Sequence, residues 1–178
     1  DDHRLGLERR ATGDAGDLRY CIAEANARTG ADTITFDPAV FGSGATITLT
    51  SGTQLVFSDT TGSTTVTGPA AGVTVSGNNT TRVFQINTNV AVDLTRMTIT
   101  GGRDSDRAGG IYNFGKLSLT DCKVNGNTAP RFGSGIFNHL SEASLGLNNC
   151  EVSGNSGSGG GIYNRYGTVN ATDTTISG

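Results

Sequence analysis

The chain of 178 residues has no tryptophan, one methionine, three prolines and three cysteines, and only 16% of its residues are charged. Each shortage narrows the field. Aromatic residues make up 6% and hydrophobic residues 34%, too little for a compact globule built round one thick core. Disordered chains combine low hydrophobicity with high net charge, whereas the net charge here is −3. An acidic pI near 5.2 gives no basic footprint, so no nucleic-acid partner is expected. No apolar run approaches the roughly 18 residues that a membrane-spanning helix needs. Three cysteines are too few for a disulfide framework and lack the close pairing of a zinc site.

Glycine is abundant, with 27 residues, and it recurs at intervals. Val75-Ser76-Gly77-Asn78, Ile99-Thr100-Gly101-Gly102, Val124-Asn125-Gly126-Asn127, Val152-Ser153-Gly154-Asn155 and Ile176-Ser177-Gly178 start 24, 25, 28 and 24 residues apart. In phase with them run Gly110-Ile111-Tyr112-Asn113, Gly135-Ile136-Phe137-Asn138 and Gly161-Ile162-Tyr163-Asn164, and an alternating segment typified by Leu117-Ser118-Leu119-Thr120. Three short strands per repeat of about 25 residues, broken by Gly and Asn and with no helix between them, predict a chain coiling into a parallel β-helix of about six coils. Leucine-rich repeats would need a Leu-x-x-Leu signature, and propeller blades about 40 residues.

Equivalent residues of adjacent coils are then expected about 4.8 Å apart. Val75, Ile99, Val124, Val152 and Ile176 should form one inward ladder, and Ile111, Ile136 and Ile162 another. Asn113, Asn138 and Asn164, joined upstream by Asn87, should stack at a corner, amide to amide. Residues 17–28 instead have helical spacing, with Asp17 as N-cap, Leu18, Cys21, Ile22 and Ala25 on one face, and Gly30 as the stop. That helix should cover the apolar end of the first coil. The division expected is thus an N-terminal segment, 1–32, and β-helix repeats, 33–178. Strands are expected at Thr33 to Phe36 and Thr46 to Thr50, with a turn at Asp37-Pro38.

Gly16-Asp17-Leu18-Arg19-Tyr20-Cys21-Ile22-Ala23-Glu24-Ala25-Asn26-Ala27, followed by Gly30-Ala31-Asp32-Thr33-Ile34-Thr35-Phe36-Asp37-Pro38, resembles the amino-terminal region of a large family of bacterial secreted and surface right-handed parallel β-helix repeat proteins. The Gly-Gly-Ile-Tyr-Asn elements are similar to the repeats of polymorphic outer-membrane proteins. The resemblance implies a right-handed solenoid, an extracellular or cell-surface location and an adhesin-like role without a defined reaction. The chain departs from the pattern in that residues 1–12 lack a strand-like lead-in before the helix.

Parallel β-helices also carry polysaccharide lyases and glycoside hydrolases, whose charged residues cluster on one outward strip. Two such columns are expected here: Thr98, Lys123, Glu151 and Thr175, and Arg96, Asp121, Asn149 and Asp173. Lys123 beside Glu151 and Arg96 beside Asp121 read as cross-strand charge pairs. Asp121 and Asp173, two coils apart at roughly 9.6 Å, are at the edge of the range for an inverting glycosidase, but no third carboxylate or histidine joins them. Asp104 and Asp106 have a spacing that suits Ca²⁺, yet Arg103 and Arg107 flank them and a solvated loop is expected. His3 and His139 are too distant in sequence to share a metal. Cys122 and Cys150 should stack on adjacent coils, within disulfide reach by Cα spacing but with parallel side chains, a geometry that favours two buried thiols. No catalytic, cofactor-binding or metal residue is assigned.

Tyr112, Phe137 and Tyr163 form an aromatic column, loosely joined by Phe114 and Tyr166, that is either a stacking ladder or a platform for sugar rings. The stretch Thr174-Thr175-Ile176-Ser177-Gly178 has no closing helix, so an open coil edge is expected there, available to a second copy or to a longer solenoid. Together these readings point to a secreted, non-catalytic structural or adhesive solenoid, assembling head to tail into a filament. The alternatives are a carbohydrate-active enzyme using Arg96, Asp121, Lys123, Glu151 or Asp173, and a glycan-binding module using Tyr112, Phe137 and Tyr163.

Overall fold

A computed structural model describes residues 2–5, by backbone alone, and 17–177. The chain enters through β1 (Asp2–Leu5) and α1 (Leu18–Ala27). The first turn follows as β2 (Asp32–Phe36), α2 (Pro38–Phe41), β3 (Ala45–Thr48) and β4 (Leu55–Phe57). The second is β5 (Ser63–Thr67), β6 (Val73–Ser76) and β7 (Phe84–Ile86), and the third β8 (Ala91–Thr95), β9 (Met97–Thr100) and β10 (Ile111–Asn113). The fourth is β11 (Lys116–Thr120), β12 (Lys123–Asn125) and β13 (Ile136–His139), and the fifth β14 (Ser144–Asn148), β15 (Glu151–Ser153) and β16 (Ile162–Arg165). With β17 (Thr168–Thr172) and β18 (Thr175–Ile176) a sixth turn begins. The molecule is therefore a parallel β-solenoid.

Its strands form three parallel sheets, in the orders β1-β2-β5-β8-β11-β14-β17, β3-β6-β9-β12-β15-β18 and β4-β7-β10-β13-β16. Strands this short can alternate only once or twice. In β8, Val92 and Leu94 turn inward while Asp93 faces water, and the same alternation in every turn stacks the apolar positions into a thin shared core. In the second sheet Ile47, Val75, Ile99, Val124, Val152 and Ile176 pair in register. In the third, Leu55, Phe84, Ile111, Ile136 and Ile162 do so. All are buried except Ile162, which is half-buried, and Ile176, which is 51% exposed on the last strand.

The entry helix forms where the sequence places it. Asp17 Oδ1 accepts from Tyr20 N at 2.7 Å, and Leu18, Cys21, Ile22 and Ala25 are buried. It also completes an edge, because Asn26 Nδ2 donates to Val56 O at 2.8 Å and Asn26 Oδ1 accepts from Ser58 N at 2.8 Å, supplying β4 with the partners a preceding turn would give.

Three local expectations change. Residues 2–5 are a strand after all, parallel to β2: the open edge of β2 is a template that needs no alternation from its partner. Asp37-Pro38 opens a one-turn helix, with Asp37 Oδ1 accepting from Ala39 N at 2.8 Å and Pro38 in its first turn, since an Asp N-cap before Pro starts a helix as readily as a turn. Asn87 is not in the asparagine column. Ile86 and, below it, Phe57 occupy that column opposite Asn113, and β7 ends one residue too early for Asn87 to join. Of the stretch 174–178, where an open coil edge is expected, β18 is described and pairs with β15, while Gly178 and the side chain of His3 lie outside the described residues.

Candidate functional site

The charged strip between the first and second sheets is built by its corners. Arg96, Asp121, Asn149 and Asp173 have φ of 54°, 53°, 52° and 48°, each a single left-handed residue that swings the chain from one sheet to the next; Asp and Asn tolerate this conformation best. They are corner residues rather than strand residues, and the side chains of Arg96, Asp121 and Asn149 bond along the corner. Asn149 Nδ2 donates to Asp121 Oδ1 at 2.7 Å. Arg96 Nε donates to the carbonyls of Gly68 and Pro69 at 2.9 and 3.2 Å, one turn down, rather than to Asp121 one turn up. The Arg96–Asp121 pair expected from sequence is thus not made. The Lys123–Glu151 pair is made, at 3.3 Å on the surface. Glu151 is held below the usual carboxylate range first by the Ser153 hydroxyl, which donates at 2.7 Å, and then by Lys123.

Cys122 and Cys150 are buried free thiols. Cys122 donates to the carbonyls of Leu94 and Thr120, and Cys150 to those of Leu119 and Asn148. The hydrogen bond with Cys150, and then burial, push the Cys122 thiol up, so it stays protonated. Cys21 is pushed up to about 11, mainly by burial on the inner face of α1.

Asparagine closes the other two corners. Asn113 Nδ2 donates to Asn138 Oδ1 and Asn138 Nδ2 to Asn164 Oδ1, both at 2.7 Å, while Asn113 Oδ1 accepts from Gly115 N at 3.1 Å. The backbone comes so close here that a Cβ on Gly115 would collide with the Val90 carbonyl. A second amide ladder links the second sheet to the third. Asn127 Nδ2 donates to Ile99 O and to Asn155 Oδ1, each at 3.0 Å, and Asn155 Nδ2 donates to Val124 O at 2.8 Å. Its signal is present in Val124-Asn125-Gly126-Asn127 and Val152-Ser153-Gly154-Asn155, whose final Asn is buried, whereas Asn78 of the earlier Val-Ser-Gly-Asn repeat is exposed.

The largest concentration of chemistry lies on the outward face of the third sheet. The loops entering it stack on one another through bridges Arg103↔Thr128, Thr128↔Ser156 and Arg107↔Phe132 and enclose a cleft of about 700 Å³ whose lining includes Gln54, Thr81, Arg103, Asp104 and Pro130. Arg82 anchors its wall. The guanidinium donates to Gln54 Oε1, Ala108 O and Arg107 O, each at 2.8 Å, pairs with Asp104 at 2.9 Å, and lies 4.8 Å from the Tyr112 ring centre. Burial pushes it down, and Asp104 opposes that.

Beside the cleft runs the aromatic row. Tyr112 and Phe137 are in register, their ring centres 5.0 Å apart, with Phe114 at 4.1 Å from Tyr112 and Tyr163 at 5.4 Å from Phe137. His139 stacks on Phe137 at 5.1 Å, 10° from parallel. Its imidazole is held below its ordinary 6.5, first by burial and then by Arg165 and Arg107. The expected three-ring platform needs correcting at its centre. Phe137 is 0% exposed, because Phe132 and the Arg107 guanidinium fold over it from the loops. Tyr112 and Tyr163 are half-buried, and Tyr166, at 71% exposed, extends the row through Arg165, whose guanidinium is 5.1 Å from its ring centre. The sequence reading missed Arg82 and Phe132 and saw Arg107 only as a flank of the Asp104–Asp106 loop; all three sit in loops without periodicity.

The two carboxylates of this face are occupied. Asp104 Oδ1 accepts from the backbone of Asp106 and Arg107 at 2.9 Å each, and Asp106 pairs with Arg107 at 3.0 Å and Arg131 at 3.5 Å. Among the described residues no three His, Cys, Asp or Glu side chains gather as a metal site, and no helix is long and apolar enough to cross a membrane. No protein-family model, no curated protein and no solved structure matches the chain.

Proposed function

We propose that the protein is a non-catalytic extracellular solenoid with a structural or adhesive role, and that the outward face of its third sheet holds a glycan. The observation that carries this reading is the set of partly exposed rings, Phe114 and Tyr112 on one side of the covered Phe137 and Tyr163 and Tyr166 on the other, bordered by an open cleft. Flat ring faces stack on sugar rings, and the exposed hydroxyl groups of Ser105, Thr128 and Ser156 at the cleft can satisfy sugar hydroxyls. The charged corner strip gives less support to a hydrolase or lyase, because Asp121 and Glu151 are already engaged by neighbouring turns.

A glycan array followed by titration of the best binder tests the reading. Tyr166→Ala and Tyr163→Ala should each weaken binding about tenfold, the loss of one stacked ring at 1–2 kcal/mol, with the oligosaccharide recovered uncut. Unchanged binding in both variants would remove the shelf, and shortening of the sugar chain would replace a binding role with a catalytic one.

A further inference from the structure

Charge is not spread evenly over this acidic chain. The three loops and strands that build the upper part of the third face (101–114, 126–139 and 154–166), with the loop and strand below them (77–87), contain five arginines, no lysine, two aspartates and no glutamate. That is a net charge of +3. The remainder of the chain holds eight basic residues against fourteen acidic ones, net −6. A patch of one sign on a molecule of the other focuses counter-charge on that patch.

The arginines differ in what they have left to give. Arg82 is saturated by protein groups and Arg107 lies across Phe132 and Phe137. Arg103 is exposed on the cleft wall and, among the described residues, its side chain has no hydrogen bond or ion pair. The Arg131 side chain is 68% exposed and, among the described residues, pairs with Asp106 at 3.5 Å. Arg165 is exposed and, among the described residues, its side chain meets the Tyr166 hydroxyl and ring. These three belong to the third, fourth and fifth turns but not to one column: Arg103 is in register with Thr128, Arg131 precedes Phe132, the partner of Arg107, and Arg165 pairs with His139, so the charges spread across the face as well as up it. A planar guanidinium matches a carboxylate or sulfate with two parallel hydrogen bonds, which an ammonium cannot do.

Resting on the glycan-holding reading above, we infer that the ligand is an anionic polysaccharide. It lies across the third face, with its carboxylate or sulfate groups on Arg103, Arg131 and Arg165 and its ring faces on the neighbouring aromatics. Asp104 is paired with Arg82 and Asp106 with Arg107, so each carboxylate of the face has a counter-charge besides the three arginines assigned to the ligand.

The test titrates the full chain calorimetrically with polygalacturonate, dextran sulfate, neutral dextran and a single-stranded DNA oligonucleotide, at low and at physiological salt. Binding of polygalacturonate, dextran sulfate or both, at least tenfold tighter than dextran and weakening with salt, is expected, and the two anionic arms tell a carboxylate from a sulfate preference. Arg103→Gln and Arg165→Gln should each lower that affinity about tenfold, as loss of one charge-assisted contact does, while Lys123→Gln on the second sheet leaves it unchanged. Dextran binding as tightly, indifferent to both arginine variants, would overturn the inference and leave the stacking shelf intact. No binding of any polysaccharide would overturn both. Oligonucleotide binding as tight as that of the polysaccharides would overturn the glycan assignment in favour of a general polyanion site.

Discussion

Replacing Asn138 tests whether the solenoid corner is held by its amides or merely by shape. The residue is fully buried, accepts from Asn113 at 2.7 Å and donates to Asn164 Oδ1 at 2.7 Å and Thr168 O at 3.2 Å. Asn138→Ala removes all three contacts, and at about 1 kcal/mol each the loss is about 3 kcal/mol, a large share of what a domain this size has to spare. Asn138→Asp is the sharper probe, because it keeps shape and changes only donors. The new carboxylate can still accept from Asn113 but faces two acceptor oxygens, so its folded-state pKa rises above the unfolded value of about 3.9. Between those two values the folded form binds more protons than the unfolded one, and stability falls as pH rises. The variant should therefore approach the native protein near pH 3.5, where the acid O–H can donate to Asn164, and should be weakest relative to native at neutral pH. Guanidinium unfolding followed by circular dichroism, with each variant compared with native at the same pH, measures both effects. A loss under about 1 kcal/mol for the alanine variant, well below the summed bonds, or a deficit of the aspartate variant that does not vary with pH, would refute the reasoning.

Asp121 has φ of 53°, so Asp121→Gly should be nearly neutral while Asp121→Val loses about 1–2 kcal/mol, the cost of a left-handed residue with a branched side chain, read from the same unfolding curves. His139 should titrate below 6.5 by NMR, because burial and Arg165 disfavour its charge. Its unfolded form takes up the proton first, so the stability it contributes is present above pH 6.5 and lost as pH falls, and His139→Gln should flatten that part of the pH profile. Cys122 and Cys150 should resist maleimide in the native state and label stoichiometrically in denaturant, counted by mass; rapid native labelling of either would contradict their burial.

What the sequence discloses about this molecule follows from how each feature is encoded. Val75, Ile99, Val124, Val152 and Ile176 recur at a period and so announce their ladder, and Asp17 with Leu18, Cys21 and Ile22 announces the helix by spacing alone. Asn113, Asn138 and Asn164 were legible for the same reason. Asn87 misled because a one-residue shift places Ile86 in the column, and a shift of one residue reverses the facing of every side chain. The third-face cleft was not legible. Arg82, Arg103, Arg107 and Phe132 lie in connections of unequal length, and only the stacking of those loops turn upon turn brings a guanidinium over Phe137 and hides a ring that its strand position would present to water.

The backbone hydrogen bonds joining one turn to the next all run along the long axis, because each strand lies across it. A pull between the two ends therefore loads the turns in series, and within each junction the three sheets share the tension in parallel. Such a rod stretches little until one junction parts as a unit. Its tensile strength is set by its weakest turn, so lengthening the rod by further turns adds reach without adding toughness.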